Sequence, residues 1–259
     1  MKRCMAFFSV AWMMSGAASA RIPSLMIPVA GAGVLVADST PTVDQILEKY
    51  IEAIGGQSAL QKSTTRVMKG SAQLTSTGEM GTIEIYKKAP DKELYLVNIP
   101  SNGPTSRAYD GKAGWYLFDP DEGPKDAPAG DLPALKREFD FHRELRLKTL
   151  YPKTVLKGKE TVGAQEAYVV EATAEDGATE KWYFAAQSGL LLRSDTPYVT
   201  DDGTSFVQTL YEDYRDVDGV KLPFVWRQTS PDFDYLITFR EIRNNVPIDD
   251  SKFAKPAGQ

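Results

Sequence analysis

The chain has 259 residues, 25% of them charged, a net charge of −5, one histidine and one cysteine. An acidic balance argues against nucleic-acid binding through phosphate neutralisation. One histidine leaves a zinc site or a Ser-His-Asp triad without the company it needs, and one cysteine rules out a disulfide framework.

Lys2 and Arg3 precede an apolar run, Met5 to Met14, of about ten residues, the length of a signal-peptide core and too short to span a bilayer. Ala18-Ser19-Ala20 supplies an A-x-A cleavage site, so residues 1–20 read as an export leader. Cys4 lies before the apolar run, where a lipid-anchoring cysteine would have to follow it, and cleavage removes it. A second apolar stretch, Ile22 to Ala37, is interrupted by Pro23, Pro28, Gly31 and Gly33. At about sixteen residues with two prolines it is marginal for a transmembrane helix. Either it belongs to a longer leader cut nearer Ala37, or residues 21–40 stay as a flexible or membrane-associated segment. Residues 41–259, about 220 of them, are enough for one domain with a sizeable core.

Thr42 to Ile54 reads as a helix: Thr42 can cap it, and Val43, Ile46, Leu47, Tyr50, Ile51 and Ile54 form an apolar stripe at helical spacing. Gly55-Gly56 stops it, and Gln57 to Lys62 adds one more helical turn. Strand signals then follow at Arg66–Leu74, Thr82–Lys88, Glu93–Ile99, Thr105–Tyr109 and Ala113–Phe118, separated by Gly, Pro and Asn-Gly breakers. Asp119 to Gly130 is a proline-rich polar loop. Asp131 to Leu150 reads as the second main helix, with Leu132, Leu135, Phe139, Phe141, Leu145 and Leu150 among its apolar positions. Strands resume at Lys153–Lys159, Glu166–Ala174, Thr179–Ala185, Leu190–Ser194, Ser205–Asp213, Val220–Gln228 and Asp232–Ile242, joined by connections short enough for an antiparallel meander.

Alternation sorts the faces. Trp182 and Phe184 share one face, opposite Tyr183; Leu222, Phe224 and Trp226 share another, as do Phe233, Tyr235, Ile237 and Phe239. Bulky residues at period two mean a sheet with one buried face. Two helices can fill that face as an ordinary core, or cover a curled sheet and leave an apolar cavity. Nothing catalytic or metal-binding, and no cofactor motif, stands out. The DPDEG run (Asp119, Asp121, Glu122) lacks the D-x-D-x-D-G spacing of a calcium loop and reads as solvated. His142 reads as a residue in the middle of the second helix. The basic residues of that helix, Lys136, Arg137, Arg143, Arg146 and Lys148, read first as a solvated face, with contact to lipid headgroups or an acidic partner as the sharper alternative.

Three C-terminal runs carry a resemblance: YFAAQSGLLLR (Tyr183–Arg193), YEDYRDVDGVKLPF (Tyr211–Phe224) and NNVPIDDSKF (Asn244–Phe253). With Leu47–Leu60, Tyr109-Asp110-Gly111 and Trp115, they resemble the LolA/LolB-like outer-membrane lipoprotein-sorting superfamily over most of Thr42 to Phe253. The resemblance implies an α+β fold: a strongly curved antiparallel sheet, an incomplete barrel of about 11–12 strands, covered by two main helices. It further implies a periplasmic, non-enzymatic monomer that binds a lipid or an acylated lipoprotein and meets an envelope membrane or an acceptor protein. With the faces assigned by alternation, Trp182, Phe184, Phe224, Trp226, Ile237 and Phe239 would line the sheet side of a cavity. Leu47, Ile51, Leu135 and Phe139 would line its lid. The alternative on the same scaffold is an envelope sensor or interaction module with a filled interior.

Overall fold

A computed structural model describes residues 40–200 and 203–256. The leader and the Ile22–Ala37 stretch lie outside the described residues. Among those described, thirteen strands form one antiparallel sheet. They are β1 (Thr65–Leu74), β2 (Glu79–Lys88), β3 (Lys92–Ile99), β4 (Gly103–Tyr109), β5 (Gly114–Leu117), β6 (Lys125–Asp126) and β7 (Lys153–Val162) in the first run. The second run has β8 (Gln165–Thr173), β9 (Thr179–Ala185), β10 (Leu191–Thr200), β11 (Gly203–Val217), β12 (Val220–Thr229) and β13 (Asp234–Asn244). The spatial order, β6-β5-β4-β3-β2-β1-β13-β12-β11-β10-β9-β8-β7, is two meanders stitched together where β1 pairs β13. The count exceeds the expected 11–12 because β6 is a two-residue polar strand inside the Asp119–Gly130 loop, too short to carry any periodic signal.

The sheet curls hard. Strands β3 and β12 lie four steps apart, about 19 Å along the sheet at roughly 4.8 Å per step. Yet the Tyr95 hydroxyl on β3 donates to Gln228 Oε1 on β12 at 3.2 Å. The edges β6 and β7 do not pair, so the barrel stays incomplete. Inside the curl, the main core gathers residues from both arms, from Ile83, Ile85, Val97 and Ile99 to Val170, Trp182 and Phe184. On the convex face Tyr183 heads a separate cluster with Val169 and Leu192, as its alternation with Trp182 and Phe184 requires.

The convex face of β3–β5 is sealed by the C-terminal segment. Phe253 is fully buried against Leu94, Ala108 and Trp115, whose indole N–H donates to the Phe253 carbonyl at 2.9 Å. Asp249 accepts from the Ser251 N–H at 2.8 Å and starts a 3-10 turn over Asp250–Phe253. Asp250 then bridges Lys88 and Lys92, each at 2.7 Å. Those two ammonium groups hold its carboxyl down at about 2. A side-chain NMR titration should find Asp250 still ionised at pH 3, and Lys92→Gln should move its midpoint up towards the ordinary carboxylate range. An ordinary midpoint in the wild-type protein would mean that the clamp is not populated.

The N-terminal helices behave as expected. α1 (Val43–Ala53) opens on a capping box in which Thr42 Oγ1 accepts from the Gln45 N–H and the Gln45 side chain accepts from the Thr42 N–H. Ile46, Leu47, Tyr50 and Ile54 are buried along its stripe. α2 (Gly56–Lys62) follows. Gly55 between them has φ +124°, and a Cβ built there would lie 2.1 Å from the Gly219 carbonyl oxygen in the β11–β12 turn. The same junction is tied by the Lys221 N–H donating to the Ile54 carbonyl at 2.9 Å. Gly55→Ala combines a disfavoured φ with a backbone clash, so it should cost more than about 1 kcal/mol in chemical denaturation. A neutral effect would show that the helix pair can shift off the turn freely.

The second helix is a correction. Asp131–Leu150 is not one helix: it divides into α3 (Leu132–Glu138) and α4 (Arg143–Leu150), so four α-helices, not two main ones, accompany the sheet among the described residues. Phe139 and Phe141 are both buried, and residues two apart do not share a helix face. The chain breaks to place both: the Phe141 N–H donates to the Pro90 carbonyl at 2.8 Å, and Asp140 accepts from the His142 N–H at 3.0 Å. His142 accordingly stands at the N-terminal boundary of α4 rather than in the middle of a helix, with its Nε2 3.0 Å from the Ser63 carbonyl.

Candidate ligand-binding face

Eight of the ten residues expected to line an apolar site meet in one cluster on the concave face: Leu47, Ile51, Trp182, Phe184, Phe224, Trp226, Ile237 and Phe239. Leu135 and Phe139 do not join them. They pack with Tyr109 in a smaller cluster at the β4–β5 arm, where the Arg107 guanidinium lies 5.1 Å from the Phe139 ring centre. Within the larger cluster burial is uneven. Trp182, Phe184, Ile237 and Phe239 are sealed, whereas Trp226 and Ile51 are half-buried, as are Tyr95, Leu191 and Tyr235, which pack against the same core. The Tyr95–Trp226–Tyr235 region is thus one part of the concave face that is not sealed.

That region carries polar atoms that the face assignment from alternation left out. Tyr95 shares its face with Val97 and Ile99, so alternation within Glu93–Ile99 was signal enough to find it. Gln228, Thr209 and Ser194 were not legible, because only the strand register lines them up: Ser194 opposite Thr209, and Thr209 opposite Gln228. In the next cross-strand position Tyr211 stands opposite Trp226, with ring centres 6.0 Å apart in an edge-on contact. Ser194 Oγ lies 3.0 Å from the Tyr211 hydroxyl. Burial raises the Tyr95 and Tyr211 hydroxyls above their ordinary value, so both stay neutral donors at physiological pH.

Two helices close the gap between the arms of the sheet. Glu138 of α3 takes a two-pronged pair from Arg107 of β4 at 3.0 and 2.6 Å, while its neighbour Arg137 reaches Asp176 in the β8–β9 turn at 2.8 Å. α4 is tied to β9 through Glu180, which accepts from Arg143 at 2.6 Å, from the Trp182 indole at 2.9 Å and from the Tyr151 hydroxyl. Burial alone would raise the Glu180 carboxyl, but the Arg143 charge and the Tyr151 and Trp182 hydrogen bonds outweigh it and hold it below the ordinary value. Burial likewise pushes the Tyr151 hydroxyl up to about 12. So three of the basic residues read as a solvated face, Arg137, Arg143 and Arg146, are anchors: Arg146 pairs with the buried Asp140.

No protein-family model and no curated protein matches the sequence. The solved structures do match. A DUF1329 family protein from Desulfovibrio piger aligns over 83% of this chain and 98% of its own, with a TM-score of 0.54 at 14% identity. A LolA superfamily protein from Nitrosomonas europaea aligns over 83% and 99%, with a TM-score of 0.53 at 13% identity. An outer membrane lipoprotein-sorting protein domain from Vibrio parahaemolyticus aligns over 81% and 94%, with a TM-score of 0.51 at 10% identity. The fold is LolA-like. At such identities what is shared is the backbone: the curled LolA-like sheet and its helical cover. The residues that fill the LolA-like curl here are this chain's own, and their chemistry has to be read from their contacts.

Proposed function

We propose that this protein is an exported, non-enzymatic binding protein or carrier for acyl chains, taking part in lipid or lipoprotein trafficking in the bacterial envelope. The observation that carries the reading is the concave apolar face left half-exposed at Tyr95, Leu191, Trp226 and Tyr235, beside a sealed aromatic floor. Burying an acyl chain there gains about 0.8 kcal/mol per CH₂, so affinity needs no charged anchor. In this reading residues 1–20 are a cleaved leader, and residues 41–259 form the binding domain, which acts in the periplasm as a monomer. The Vibrio parahaemolyticus domain named for outer membrane lipoprotein sorting supports it as a fold relative.

The sealing of Trp182, Phe184, Ile237 and Phe239 favours a second reading, an interaction or sensor module whose interior is filled by its own side chains. Native mass spectrometry of the purified mature protein, followed by lipid extraction and titration with a neutral fluorescent alkyl probe, separates the two. A co-purifying acyl lipid or saturable probe uptake supports the carrier. A clean apo mass with no uptake leaves the filled module standing.

A further inference from the structure

Strand β7 is an open edge of the sheet. It runs for ten residues, Lys153–Val162, and pairs with β8 alone, whereas the opposite edge, β6, is two residues long. In an edge strand alternate N–H and C=O groups point outward, where they template the pairing of a further strand. For Lys153–Lys157 those outward groups meet no backbone partner among the described residues. A bulge between Leu156 and Gly158, with Gly158 at φ +111°, divides the edge into two halves.

The first half carries an ordered set of side chains on the convex face. Lys153 stands opposite Thr173, and Val155 opposite Glu171. Glu171 alternates with Val170, which lies in the main core, so Lys153 and Val155 face outward with it. Lys157 reaches Glu171 at 3.4 Å and therefore shares that face. Lys181 of β9 stands opposite Glu171 from the other side. Three ammonium groups thus surround one carboxylate, and Val155, 42% exposed, lies between Lys153 and Lys157. The Lys157–Glu171 pair is exposed, and such a pair competes weakly with a new partner. Lys153 and Lys181 make no ion pair among the described residues. Asp195, opposite Lys181 on β10, is held by Arg193 and the Tyr183 hydroxyl. In the adjoining β8–β9 turn Asp176 is taken by Arg137, which leaves Glu175. Within Lys153–Lys157 itself there are two lysines and no acidic residue, and directly opposed side chains dominate cross-strand electrostatics.

We infer that Lys153–Lys157 is a docking edge for an extended acidic segment of a partner protein. The segment adds to the sheet as a further strand, with acidic side chains facing Lys153 and Lys157 and an apolar one facing Val155. A second copy of this chain would bring two lysine-bearing edges together, and a lipid interior would leave the outward N–H and C=O groups unpaired. The edge lies outside the concave face, so docking there holds whether or not an acyl chain is bound inside.

Fluorescence anisotropy of labelled peptides on the purified protein tests it: TETVTET, its basic counterpart TKTVTKT, and a fully N-methylated TETVTET. At low salt TETVTET should bind at least roughly tenfold tighter than TKTVTKT, with the gap narrowing as salt is added. N-methylation should abolish binding, because it removes the donors of the ladder. In the complex, hydrogen exchange should slow at the outward amides of Lys153–Lys157. The double variant Lys153→Glu, Lys157→Glu should reverse the preference, and its uptake of TKTVTKT itself reports a folded protein. Equal affinity for both peptides, protection away from β7, or no binding up to about 1 mM would each overturn the inference. So would anionic phospholipid vesicles that bind through the same lysines while TETVTET does not.

Discussion

Replacing Glu180 by alanine should destabilise the protein by about 3–5 kcal/mol, a fifth or more of the total for a typical domain. The carboxylate is buried, and it is the shared acceptor for the Arg143 guanidinium, the Tyr151 hydroxyl and the Trp182 indole. Truncation strands a guanidinium and two neutral donors at once, and the large term is the uncompensated charge. Urea denaturation reads the loss, and hydrogen exchange locates it, with Arg143–Leu150 losing protection before β12 and β13. Because the folded-state value of Glu180 lies below its unfolded value, the native state binds fewer protons at this group. Its contribution is fully present above the unfolded value, about pH 4.3, and fades as pH falls through the depressed folded value. The gap in stability between wild type and Glu180→Gln should therefore be widest near neutrality and shrink under acid. A gap that is flat down to pH 2 would contradict the assigned direction.

Phe184→Ala is the second large effect, about 3–5 kcal/mol by the usual cost of emptying an aromatic core position. Phe184 is 1% exposed, with its ring 5.0 Å from Tyr50 of α1 and 6.4 Å from Trp182. It is the floor on which α1 stands. A helix of eleven residues is marginal alone and depends on such contacts, so Val43–Ala53 should lose exchange protection beyond the global destabilisation. If α1 stays protected and the loss is under about 1 kcal/mol, the helix is held mainly by Ile46, Leu47 and the Gly55 junction.

Half of the fold is local and could be read in the chain. The α1 stripe, its Thr42 cap and the Gly55 stop are short-range signals, and each was where periodicity and capping placed it. The face assignments held for the same reason: side chains alternate within a strand whatever the strand pairs with, so Trp182 and Phe184 had to part from Tyr183. The α3–α4 break was hidden because helix periodicity tolerates Phe139 and Phe141 singly. Only their separate tertiary sites, and the Phe141 hydrogen bond to Pro90, force the chain to turn between them.

The candidate site divides in the same way. Eight of the apolar residues assigned to faces pack in one cluster, but Leu135 and Phe139 went to a different one because the α3 segment leans on Tyr109 and Arg107 of the far arm. Tyr95 meets Gln228 across 133 positions of sequence, and the Ser194–Thr209–Gln228 row exists only once β10, β11 and β12 adopt one register. By itself the sequence determined which side chains each strand and helix would offer to a core: composition, period and caps act within a few residues. The tertiary structure alone decided which of those offers meet, because curvature and register are collective properties of the whole sheet, and a polar atom acquires a partner, or lacks one, only there.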